Sequence, residues 1–237
     1  MAKANTTWTV LPHAPIEKLS TNLWRVEAKL PGMEMKRVMS IARRADGTLV
    51  IHNGIALGDA EMAEIDAWGK VAAIVVPNGF HRLDAKVFAD RYPDARVLCP
   101  PGAKTKVEQV VKVHGGYDEL GVDAAVELQL LDGTKQREGV MIVRSEQSAS
   151  LVFNDAVFNM PHLTGVTGFV FRRVTGSTGG PKVSRLAKWL MIADKPAFRA
   201  HVERLAELPN LTHVVVSHHE TITQDPAGTL KRVVAAL

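Results

Sequence analysis

Apolar and polar residues alternate along residues 23–30 and 37–42, and a third short apolar run at 48–52 follows Asp46-Gly47. Period-two alternation suits half-buried strands and an Asp-Gly pair suits a tight turn, so the pattern predicts an antiparallel meander at the start of the chain. The rhythm then changes. A helix is expected from an Asp59 N-cap through Trp68, then a buried strand at 71–76, a helix at 83–92 and a short strand at 96–98. Beyond Pro100-Pro101 the pattern predicts a short helix near 104–111 and strands near 126–131, 139–144 and 150–153, with a turn at Asp132-Gly133. Residues 160–182 are glycine-rich and lack periodicity. Helices follow near 184–192 and 195–207, then a buried strand at 212–217 and a last helix over 225–236. The order β-rich, α/β, β-rich, α/β predicts an α/β fold of two similar halves, packed sheet on sheet with helices outside.

A length of 237 residues allows one large domain or two small ones. No repeat, low-complexity tract or Pro/Ser-rich linker marks a boundary, so a single domain over 1–237 is the expectation. Hydrophobic residues at 46% and charged residues at 23% exclude disorder, collagen and coiled coil. A net charge of +4 favours a small anionic substrate or ligand, but no basic run of five occurs and no nucleic-acid partner is expected. The N-terminal residues lack the apolar stretch of a signal peptide, and no apolar run of about 18 residues suggests a membrane span. The single cysteine, Cys99, cannot form an internal disulfide and suits a reducing compartment, so a cytoplasmic location and no membrane partner are expected.

Four apolar runs end abruptly in polar residues: LVIHNG at 49–54, IVVPNGFHRLD at 74–84, LVFND at 151–155 and VVVSHHE at 214–220. In layered α/β folds ligands bind where the carboxyl ends of strands open onto loops. His52, His81, Asp84, Asp155, His218 and His219 are therefore candidates to converge, and imidazole with carboxylate suits zinc, iron or manganese. Taken singly, each such histidine is better explained by tying down a loop. Adjacent residues at a strand end point apart, so of His218 and His219 the former is expected to face the site. His13, His114, His201 and His213 have no comparable setting and are expected to be solvated or structural.

Other features are weaker. Residues 176–182, with Arg172, Arg173, Lys182 and Arg185 nearby, lack the phosphate-loop pattern and are expected to form a plain loop or a lid. Ser145, Ser148 and Ser150 sit in no nucleophile elbow, and nothing in the sequence places a base beside Cys99. Met33, Met35, Met39 and Met62 are expected to fill core gaps.

The order of the strand-end motifs resembles the metallo-β-lactamase fold, an αββα sandwich, from about Leu23 to the C-terminus. LVIHNG stands where that superfamily writes an apolar run and D-T-G, and IVVPNGFHRLD where it writes T-H-x-H-x-D-H. LVFNDAVF resembles its metal-bridging aspartate segment, and VVVSHHE its late G-H segment. The P-N-x-x-H, R-Y-P-x-A-R-V and N-D-A-V-F-N stretches further resemble a bacterial branch of uncharacterised proteins with this fold.

The resemblance implies metal-polarised attack of water on a carbonyl or phosphoryl group. The first motif here keeps only His81 and Asp84, with Pro77, Asn78 and Phe80 around them, and no histidine stands between Leu128 and Val143. A complete two-zinc site is therefore not expected. One zinc ion, held by His81, Asp155 and His218 with Asp84, would give a hydrolase of an ester, thioester, lactone or phosphoester. Asp84 and Asp155 are then the catalytic candidates, Asp155 as ligand and orienter, His81 or Asp84 as ligand or general base. His52, Asn78, His162 and His219 are candidate supporting or substrate-contacting residues. The alternative is a non-catalytic relative with no metal, whose fold serves ligand binding or interaction.

Overall fold

The computed structural model describes residues 4–32 and 34–237. Strands β1 (Glu17–Ser20), β2 (Leu23–Lys29), β3 (Lys36–Arg43) and β4 (Leu49–His52) form the expected antiparallel meander, with β1 an unforeseen edge strand. Helix α1 (Asp59–Trp68) leads to β5 (Val71–Val75), and α2 (Ala85–Arg91) to β6 (Arg96–Leu98). These two strands join in parallel, because a crossover helix returns the chain to the same end of the sheet. The six strands lie in sequence order. Asp59 is the first helical residue of α1 rather than its cap, a place taken by Gly58.

After α3 (Lys104–Val107), shorter than the sequence suggests, β7 (Val126–Leu130), β8 (Gly139–Arg144) and β9 (Ala149–Phe153) form a second antiparallel meander. Strands β10 (Phe158–Met160) and β11 (Gly180–Lys182) pair with each other and flank α4 (Gly165–Val170), which continues as one wide turn through Phe171–Thr175. That helix was not legible in the glycine-rich stretch. Helices α5 (Arg185–Leu190) and α6 (Lys195–Ala206) then lead to β12 (Leu211–Val215), parallel to β9, and α7 (Pro226–Ala235) ends the chain. The second sheet runs β12-β9-β8-β7.

Three apolar clusters define the layers. Met39, Ile51, Ile65 and Phe88 pack the outer face of the first sheet against α1 and α2. Phe153, Phe198, Val202 and Leu230 do the same for the second sheet against α6 and α7. Val38, Val50 and Val75 meet Met141, Val152 and Val215 between the sheets. The result is a four-layer αββα sandwich, whose inner strands, covered by the other sheet on one face and by helices on the other, are buried almost throughout. Met39 and Met62 are buried as expected and Met35 half so, while Met33 lies outside the described residues. Among those residues no helix is long and apolar enough to cross a membrane.

Candidate metal centre

Both parallel pairs, β4 with β5 and β9 with β12, send their carboxyl ends to one region. There the Val38 amide of β3 donates to the Ser217 carbonyl beyond β12 (2.9 Å), fixing one sheet against the other. The loop after β5 carries His81, the loop after β9 carries Asp155, and the loop after β12 carries His218. One donor atom from each lies within 4.8 Å of the other two. Asp155 Oδ1 stands 3.1 Å from His81 Nε2 and 3.2 Å from His218 Nε2. The three side chains are 9%, 14% and 6% exposed, so the group is largely dry yet reachable from solvent.

The far nitrogens of the two rings decide what the near ones can do. His218 Nδ1–H donates to the Lys36 carbonyl (2.9 Å). Asn53, held in the left-handed region at φ 58°, donates its amide to the Val38 carbonyl (2.7 Å) and so turns Oδ1 towards His81. His81 Nδ1–H donates to that oxygen (3.3 Å). With both Nδ1 atoms spent as donors, a neutral ring aims the bare Nε2 lone pair at the Asp155 carboxylate. That arrangement repels unless a cation or two extra protons lie between. Donors 2.0–2.1 Å from a tetrahedral zinc sit about 3.3 Å apart, close to the two separations found. The residues therefore fit one zinc ion in the class with three protein ligands.

A buried polar frame supports the group. Asn78 Oδ1 accepts from the Phe80 and His81 amides (2.8 and 3.1 Å), which shapes the loop carrying His81. Its Nδ2 donates to Asp155 Oδ2 (2.8 Å) and to Glu138 Oε1 (2.6 Å). Asn154 also donates to Glu138 (3.4 Å) and accepts from the Ser217 hydroxyl. Burial pushes the Glu138 carboxyl well above the usual carboxylate range, and the Asp155 charge adds to this. Burial opposes ionisation of Asp155 too, but His81 and His218, when protonated, hold its carboxyl well below that range. The Phe158 ring stacks on His218 at 5.7 Å and closes one side. Glu138 sits in a polar turn with no periodic signal, so the sequence did not expose it. Asn53 lies in the LVIHNG run, whose pattern does not distinguish it from its neighbours.

Asp84, expected among the ligands, stands apart from this group. Its fully buried carboxylate pairs with the Arg37 guanidinium and accepts from Asn5 Nδ2 (2.7 Å) and the Ala56 amide (3.1 Å). The chain enters α2 directly after it, which turns the carboxylate into the sheet-helix layer. His52 stays buried on β4 with Nε2 unpartnered among the described residues, and burial with the nearby His81 lowers its pKa to about 3. His219, at φ 65°, points away from Asp155 and accepts from the Lys36 amide through Nε2 (3.2 Å). It thereby holds the residue whose carbonyl orients His218. His162 bonds Thr178 beside β11 (3.0 Å) and does not join the group. His201 bonds Gln129 and the Asp132 amide, and His114 accepts from the Val97 amide, both structural contacts.

No protein-family model matches the chain, and no curated protein matches its sequence. Solved structures do. A metallo-β-lactamase from Erythrobacter litoralis with β-mercaptoethanol in its active site aligns at TM-score 0.61 and 14% identity, over 94% of this chain and 96% of that one. The DIM-1 metallo-β-lactamase exposed to ceftazidime aligns at TM-score 0.62 and 10% identity, over 96% and 99%. Aligned with both over almost the whole length of each chain, this protein has the metallo-β-lactamase fold.

Proposed function

We propose that the protein is a metal-dependent hydrolase with a single zinc ion held by His81, Asp155 and His218. The observation that carries this reading is the pair of Nε2 lone pairs aimed at one carboxylate oxygen, with both Nδ1 atoms spent on carbonyl acceptors. Bound there, zinc supplies Lewis acidity to a substrate carbonyl or phosphoryl group. The chain does the rest. Asp155 would balance the cation's charge, and Asn78 engages its second oxygen, leaving Oδ1 to the two imidazoles. Glu138, held towards its neutral form, keeps a second negative charge away from Asp155. Phe158 stacks on the His218 ring and covers that face of it from water.

The substrate class is an ester, thioester, lactone or phosphoester, with anionic character favoured by the net charge of +4. A second reading, a non-catalytic binding module, is favoured by one feature: two protonated imidazoles would satisfy Asp155 Oδ1 without an ion. Metal analysis by plasma mass spectrometry on untagged protein separates the two. About one zinc per chain, lost in His218→Ala together with chelator-sensitive hydrolysis, is expected. Full hydrolysis by metal-free protein overturns the metal reading, and metal near zero that added zinc does not restore establishes the module.

A further inference from the structure

Seven of the ten large apolar side chains exposed among the described residues fall between positions 166 and 190. On α4, Val166, Phe169 and Val170 form an i, i+3, i+4 stripe that faces solvent instead of a core. On α5, Leu186, Trp189 and Leu190 also face out, with Trp189 82% exposed, while Ala187 alone points inward. The turn at Phe171–Thr175 carries Val174 and packs against α5, which joins the two faces.

The same segment is one-signed. Between Asp155 and Asp194 the sequence holds five Lys and Arg and no Asp or Glu. Arg172, Lys182, Arg185 and Lys188 line one open cavity of about 430 Å³ with His162 and Thr178. Lys182, Arg185 and Lys188 donate to the main-chain carbonyls of Thr178, Arg173 and Ala236, which leaves their charges uncompensated. One carboxylate, Glu34, meets the segment, at Thr164 on its edge. Arg185 and Lys188 lie a turn apart on α5, directly beside the outward apolar positions.

We propose that this face docks on an anionic lipid surface. Val166, Phe169, Leu186 and Trp189 enter the headgroup boundary, and the Arg172, Lys182, Arg185 and Lys188 cavity receives a lipid phosphate. Apolar residues bordered by cations are the pattern of in-plane membrane binding, which needs no spanning segment. Charge complementarity selects this occupant. A two-fold pairing of two copies would set five cations against five, and a nucleic-acid surface would leave the aliphatic and aromatic stripe without a partner.

The test is co-sedimentation of the full chain with vesicles of phosphatidylcholine alone and with about 30% phosphatidylglycerol. Binding to the anionic vesicles only is expected, and it should weaken as salt rises from about 0.1 M to about 1 M, since screening shortens from about 10 Å to 3 Å. Arg172→Gln should weaken binding about fivefold. Trp189→Ser and Phe169→Ser should each weaken it about tenfold, and both side chains are exposed enough for the variants to fold. Equal binding to both vesicle types overturns the proposal, as does binding to neither when inorganic phosphate alone is bound. A dimer in lipid-free solution that Trp189→Ser dissolves overturns it in favour of a second copy.

Discussion

Replacing Asp84 by asparagine separates a structural role from a metal-binding one, because the two roles predict opposite effects. Arg37 is 4% exposed and Asp84 not at all, and their ion pair is reinforced by hydrogen bonds from Asn5 and the Ala56 amide. In Asp84→Asn the guanidinium keeps its burial and loses its counter-charge, and the new amide turns two donors into a cage of three. Removing one partner of a buried pair costs about 3–5 kcal/mol. For a chain of 150–250 residues each kcal/mol shifts the melting temperature by about 2–4 °C, so a fall of roughly 6–20 °C is expected by circular dichroism. Zinc per folded chain should stay unchanged, whereas Asp155→Asn should lose the metal. The double variant Arg37→Met, Asp84→Leu removes both charges and should recover much of the lost stability. A stable Asp84→Asn protein that has lost its metal would refute this account and return Asp84 to the ligands.

Gly139 opens β8 beside Glu138, and a Cβ there would lie 2.1 Å from Tyr117 Cε2 and 2.7 Å from the Gln129 carbonyl. Gly139→Ala should therefore destabilise by about 1–3 kcal/mol in urea titration, and an unchanged midpoint would show that the ring moves freely. Buried His52 has its pKa lowered to about 3 against 6.5 in the unfolded chain. The unfolded state then binds the extra proton as pH falls below about 6.5, so stability present at neutral pH is lost progressively towards pH 3. Over pH 6.5 to 5 the loss from this group is about 2 kcal/mol, and His52→Gln should flatten that slope in urea titrations at the two pH values.

Most of the sandwich was legible because each layer writes its own period. Strands β2 to β4, with one face on the inter-sheet core and one on a helix, alternate or run apolar and break at turns. Helices α6 and α7 are capped by Asp194 and Asp225, whose side chains accept from the Ala197 and Gly228 amides. Helix α4 escaped notice because Gly165 and Gly168 dilute its propensity and its apolar stripe meets no core. The strand-end rule brought out His81, Asp155 and His218 because all three follow parallel strands. It failed for Asp84 because three residues of spacing from His81 say nothing of the direction in which a chain enters its next helix. Glu138 is a single acid in a polar turn, and only the fold shows that the turn is buried.

The donor set is assembled from both sheets, and neither half of the chain holds it alone. His81 is aimed by Asn53 and shaped by Asn78 of the first sheet's loops, and His218 is aimed by Lys36 at the start of β3, although it follows β12 of the second. His218 and His219 grip the carbonyl and amide of that one residue, while Val38 two positions on bonds the Ser217 carbonyl. The relative position of the sheets, set by Val38, Met141, Val152 and Val215 between them, thus fixes the separation of the two rings. Interiors at this packing density respond to a lost methylene by shifting neighbours, and a metal tolerates only about 0.2 Å in its bonds. The orientation of His81, Asp155 and His218 is therefore a property of the inter-sheet core as much as of the three residues, which is why three strand ends from a sequence could mark the group but not the hydrogen bonds that aim it.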